Sequence, residues 1–123
     1  MKETIKKLIN VIKQQVELFI LNAGEFYPFG SCIDKNDNII PIGAYIEDEN
    51  DRPPSLELIS LLEKSIRKGI LNENFTIGAI AIDVVIKEYG ESYDAVEIRF
   101  FEVGKEYKMH FKYTCKNKHV EFF

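Results

Sequence analysis

Tryptophan is absent from this chain and cysteine nearly so. The two cysteines, Cys32 and Cys115, are far apart, belong to no Cys-x-x-Cys pair and have no second Cys or His at zinc spacing. A zinc module is therefore not expected, and both residues read as reduced thiols in or beside strands. Long apolar runs are missing too. In residues 1–20, MKETIKKLINVIKQQVELFI, Lys and Gln interrupt the apolar positions every few residues. Neither a signal-peptide core nor a membrane span results, and the expectation is a cytoplasmic protein without membrane contact. Basic excess is the third absence: Lys and Arg number 16 against 20 Asp and Glu, a net charge of −4. A phosphate-backbone binder needs a basic footprint, so nucleic acid is not expected as a partner. No nucleotide-cradling glycine loop and no nucleophile motif is present, and no cofactor is expected.

What the chain does have is periodicity. Its 123 residues are 46% apolar, with nine Phe and six Tyr, enough for a single α+β domain over 1–123 with one core and no staples. Ile5, Leu8, Ile9, Ile12, Val16, Phe19 and Ile20 recur at intervals of three and four. That spacing predicts an amphipathic helix over 3–22, with Thr4 as N-cap and Gly24 as terminator. Residues 26–46 read as a hairpin around the polar turn Asp34-Lys35-Asn36-Asp37-Asn38, its strands bent at Pro28 and Pro41. After a loop over 47–54, Ser55 opens a second helix to about Lys68, with Leu58, Ile59, Leu62 and Ile66 as its stripe and Gly69 as its stop. Residues 75–87 are apolar on both alternating faces, the signature of a central, covered strand. Residues 94–103 and 106–114 alternate cleanly across a turn at Gly104-Lys105, and residues 120–123 supply a possible last strand. In that hairpin Glu97 and Arg99 read as outward, pairing with lysines across it. The order α-β-β-α-β-β-β predicts a five- or six-stranded antiparallel sheet with two helices packed on one face.

Few residues in this frame carry chemistry. Asp83 stands out, a carboxylate inside the most apolar strand, which must be hydrogen-bonded, paired or neutralised. With the aromatic segment Phe26, Tyr27 and Phe29, and with Tyr45, it makes a candidate ligand-binding set. The bland alternatives are that Asp83 emerges into solvent and that the aromatics are core. Glu47, Asp48, Glu49 and Asp51 form the densest charge run. Their spacing does not fit an EF-hand loop, so a metal is not expected there. They read as a solvated loop or as a contact surface for a basic partner. His110 alternates with lysines and reads as solvated. Cys115 and His119 are four residues apart across a turn, a spacing any hairpin produces.

The run Gly24-Glu25-Phe26-Tyr27-Pro28-Phe29-Gly30 resembles a segment, G-E-F-x-P-F-G/A, that follows the first helix in a family of small bacterial proteins of unknown function. Further matches are Ser55-Leu56-Glu57-Leu58-Ile59-Ser60-Leu61-Leu62, the strand from Ala79 to Val84, and Asp94-Ala95-Val96-Glu97-Ile98. The resemblance spans about residues 1–113 and stops before the Lys-rich end. Its motifs are packing signatures, so it implies a fold and no activity. With chemistry lacking, the expected role is a non-enzymatic protein-interaction module: an immunity-type or adaptor-type binder of another protein, or a homodimerising domain. A small-ligand binder or enzyme with its pocket near Phe26–Phe29 and Asp83 is the alternative.

Overall fold

The computed structural model describes residues 2–43 and 55–123. The elements run α1 (Glu3–Ala23), β1 (Phe29–Asp34), β2 (Ile39–Ile42), α2 (Ser55–Leu71), β3 (Phe75–Glu88), β4 (Glu91–Glu102), β5 (Lys105–Lys116) and β6 (His119–Phe122). All six strands belong to one sheet in the order β2-β1-β3-β4-β5-β6, and every neighbouring pair is antiparallel. The α+β class, the element order and the inner position of residues 75–87 are as the sequence predicts, and the segment after Cys115 adds β6 to the sheet.

The two helices, however, lie on opposite faces, which corrects the expectation that they share one. Successive residues of a strand point to opposite sides, and β3 divides accordingly. Ile77, Ala79 and Ala81 join the core beneath α1, whose stripe is Ile5, Leu8, Ile9, Ile12, Val16 and Ile20. Ile80 and Ile82 join a separate core with Ile59, Leu62 and Ile66 of α2. The neighbours follow suit: Ile33 and Phe100 face α1, whereas Cys32 and Phe101 face α2. Each helix has one apolar stripe, so a strand apolar on both sides needs one helix for each.

The sheet also curls. Helix α1 touches both β1 and β6, which stand four strand spacings apart. At about 4.8 Å per spacing that is some 19 Å in a flat sheet, beyond the span of a helix about 10 Å across. The strands therefore wrap α1 on the concave side. Small side chains permit the close approach: Ser31 pairs with Ala79 and Phe29 with Ala81 in the floor beneath the helix.

Local chemistry sets the element ends. Helix α1 has Lys2 at its N-cap with no side-chain cap, so Thr4 lies inside the first turn and does not cap it. Gly24 closes the helix at φ 77°, its N–H donating to the Ile20 carbonyl at 2.8 Å, a conformation that glycine adopts without a Cβ penalty. Gly69 does not end α2. It is buried within the helix, and a Cβ there would overlap the Phe75 ring. The helix stops at Leu71, where Glu73 turns left-handed and Asn74 N–H donates to the Gly69 carbonyl at 2.8 Å. The β1–β2 turn is held by Asp34, whose carboxylate accepts the N–H groups of Asn36 and Asn38 at 2.8 and 2.9 Å, as an Asx turn requires.

Candidate functional site

Asp83 lies on the α1 side of β3, two residues beyond Ala81 and opposite Val96 of β4. Here the helix has ended and the sheet is no longer fully covered, so the carboxylate is half-buried. Three elements meet on it. Tyr113 of β5 donates its hydroxyl at 2.8 Å. The backbone N–H of Phe26, in the connection from α1 to β1, donates to the same carboxylate. Asp94 on β4, opposite Val85, and Glu25 add negative charge beside it. Burial, reinforced by the two neighbouring carboxylates, raises the Asp83 carboxyl above its ordinary range against the opposing pull of its two hydrogen bonds. The Tyr113 phenol is raised in turn, by burial first and then by donating to Asp83.

The other sequence candidates divide. Phe26 is buried in the α1 core. Its ring meets Phe29 edge-on at 5.7 Å, and Phe29 meets Phe19 of α1 at 5.4 Å. Tyr27, between them, is exposed. The structure thus brings Asp83 to the backbone of Phe26 and packs the ring of Phe26 into the interior. Tyr45, Glu47, Asp48, Glu49 and Asp51 lie outside the described residues. Among the described residues no group of three or more His, Cys, Asp or Glu is arranged to hold a metal ion, and no helix is long and apolar enough to cross a membrane. Chemically, the Asp83 site is a proton-avid acceptor tying together the α1–β1 connection, β3 and β5.

A second polar centre lies on the α2 side of the sheet and was not legible as such. Glu97 is buried, with only 8% of its surface accessible. Its carboxylate accepts from Arg99 Nε at 2.8 Å and contacts His110 Nε2 at 2.9 Å, while Arg99 also reaches Glu63 of α2 at 3.7 Å. Burial works to raise the Glu97 carboxyl, but the bonds from Arg99 and His110 outweigh it and hold the group below its ordinary range. The expectation of outward Glu97 and Arg99 paired with lysines is corrected; His110 is exposed, as the alternation with lysines suggests, and its ring reaches Glu97. The β4–β5 turn is Val103–Gly104, with Glu102 opposite Lys105, so Glu97 faces His110. The signal was the turn itself: shifting its centre by one residue shifts every cross-strand partner by two. Both cysteines are free. Cys32 is buried under α2, its thiol pushed up to about 12 by burial, whereas Cys115 is exposed and stands opposite Val120, with His119 opposite Lys116.

Compared with protein-family models, with curated proteins and with solved structures, the chain matches none of them.

Proposed function

We propose that this chain is a non-enzymatic protein-interaction module, an immunity-type or adaptor-type binder of another protein or a homodimerising domain. The observation that carries this reading is the placement of bare apolar side chains. Scattered single ones are ordinary on a soluble surface. Here Leu71, from the last turn of α2, and Val103, from the β4–β5 turn, are 83% and 80% exposed and line the same cavity. Exposed apolar groups from different elements that converge on one place are the usual mark of a contact surface. Among the described residues the short strands β2 and β6 are the outermost of the sheet, positions at which a partner strand can pair. Capture from native lysate, combined with light scattering after size exclusion, tests the reading. A captured protein or a stable dimer supports it; a strict monomer that retains nothing contradicts it.

One observation favours a small-ligand reading. A half-buried carboxylate with raised proton affinity, such as Asp83, is a common feature of ligand sites. A thermal-shift screen with metabolites tests it: stabilisation that disappears in Asp83→Asn supports this alternative.

A further inference from the structure

At one end of the molecule the last turn of α2, the turn into β3 and the β4–β5 turn enclose a cavity of about 490 Å³. Its floor is Phe101, which is itself buried, and Ile70, Leu71 and Val103 form its walls. A space of this size takes two or three side chains of a peptide rather than one. The polar lining is unbalanced, with Glu73, Glu102 and Glu106 set against a single guanidinium, Arg67. That guanidinium is already engaged, since it pairs with Glu106 and lies over the Phe101 ring at 5.1 Å. Glu102 is largely buried. It accepts the Tyr107 hydroxyl at 2.9 Å and pairs with the exposed Lys105 at 3.3 Å. Glu73 stands at the C-terminal end of α2, where the helix dipole also favours positive charge. With Glu106 held by Arg67 and Glu102 by Lys105, Glu73 is the rim carboxylate without a cation partner among the described residues, and apolar walls beside it complement an apolar residue flanked by a base.

Resting on the interaction reading above, we propose that this cavity is the partner contact and that its occupant is a short apolar segment of another protein carrying Lys or Arg beside its anchoring side chain. The apolar anchor fills the space over Phe101, and the flanking cation sits at Glu73. An acidic segment is disfavoured by the same carboxylate.

The test uses the full chain, isotope-labelled, titrated with two synthetic peptides, Leu-Lys-Leu-Arg-Leu and its acidic counterpart Leu-Glu-Leu-Glu-Leu. The expected result is saturable amide shifts for the basic peptide confined to residues 67–73 and 101–106. The acidic peptide should bind at least tenfold more weakly, and the basic one severalfold more weakly in 0.5 M salt. Leu71→Ser and Glu73→Lys replace exposed residues, so both variants should keep the parent spectrum elsewhere while losing most of the affinity. No shift at this end, or equal binding of both peptides, overturns the proposal. The two claims separate in the lysate and light-scattering experiment: a partner captured equally well by parent and by Leu71→Ser/Glu73→Lys refutes this location alone, whereas a strict monomer that captures no partner refutes the interaction reading itself.

Discussion

A single methyl group at position 78 probes how α2 seats on β3. Gly78 lies in the strand opposite Cys32 on one side and Phe101 on the other. A Cβ built there would overlap the side chain of Ile66, a fully buried residue of α2. Ile66 is wedged into the core with Leu62 and Ile80, so it has little room to yield. Overpacking of this kind costs about 1–3 kcal/mol, offset by the roughly 0.5–1 kcal/mol that alanine gains over glycine in a strand. Gly78→Ala should therefore lose between nothing and about 2.5 kcal/mol, centred on about 1 kcal/mol, a fall in Tm of a few degrees for a domain of this size. Ile66→Ala should lose about 2–5 kcal/mol by leaving a cavity. In the double variant the new methyl occupies part of that cavity. The combined loss should then fall short of the sum of the single losses by about 0.5–3 kcal/mol. Urea unfolding of the four proteins measures this directly. Strict additivity would refute the close seating of α2 on this glycine.

Four other outcomes follow from the same packing and charge arrangement. Asp83 has its carboxyl raised in the folded state, so the fold takes up its proton before the unfolded chain does, and its contribution to stability improves as pH falls through the raised value; Asp83→Asn keeps an acceptor for Tyr113, and its stability relative to the parent should be more favourable at pH 7 than at pH 4, a reversed or pH-independent difference being the contrary result. Glu97 has the opposite sign: its carboxyl is held low, its contribution is present above the ordinary carboxylate range and is lost as pH falls through the lowered value, so Glu97→Gln should be destabilised at pH 7 and should lose less than the parent on acidification, as read by urea midpoints at both pH values. Phe100 is fully buried and stacks on Tyr107 at 4.9 Å, so Phe100→Ala should cost about 3–5 kcal/mol in chemical denaturation. In the native protein a thiol reagent should titrate Cys115 rapidly and leave Cys32 unmodified until denaturant is added, because Cys32 is buried and its thiol is pushed up to about 12.

Much of the architecture is legible in the residues, for a simple reason. The spacings of the α1 and α2 stripes and the alternation of β4 and β5 are local signals, and the structure places helices and strands there. What they do not carry is the assignment of faces. A stripe states which side of a helix is apolar, not which side of the sheet receives it. The decisive clue lay in β3, where Ile77, Ala79 and Ala81 alternate with Ile80 and Ile82. With both sides apolar and one stripe per helix, two helices on one face would leave the other bare. The sites follow the same division. Asp83 was legible as an oddity of sequence, but its partner Tyr113 is 30 residues away and two strands over. Only the registers of β3, β4 and β5 bring them together. Glu97 and His110 were lost to a turn placed one residue late. The cavity between α2 and the β4–β5 turn had no sequence signal, because Leu71 and Val103 each look like an ordinary apolar residue at an element's end until the topology brings them to it.

The opposite-face arrangement is tested most directly by through-space contacts in a methyl-labelled sample. The account predicts that the methyl groups of Ala79 and Ala81 report on α1 side chains such as Ile12 and Val16. Those of Ile80 and Ile82 should report on Ile59, Leu62 and Ile66 of α2, with no β3 residue seeing both helices. Contacts from both helices to the same alternate set of β3 residues would contradict it.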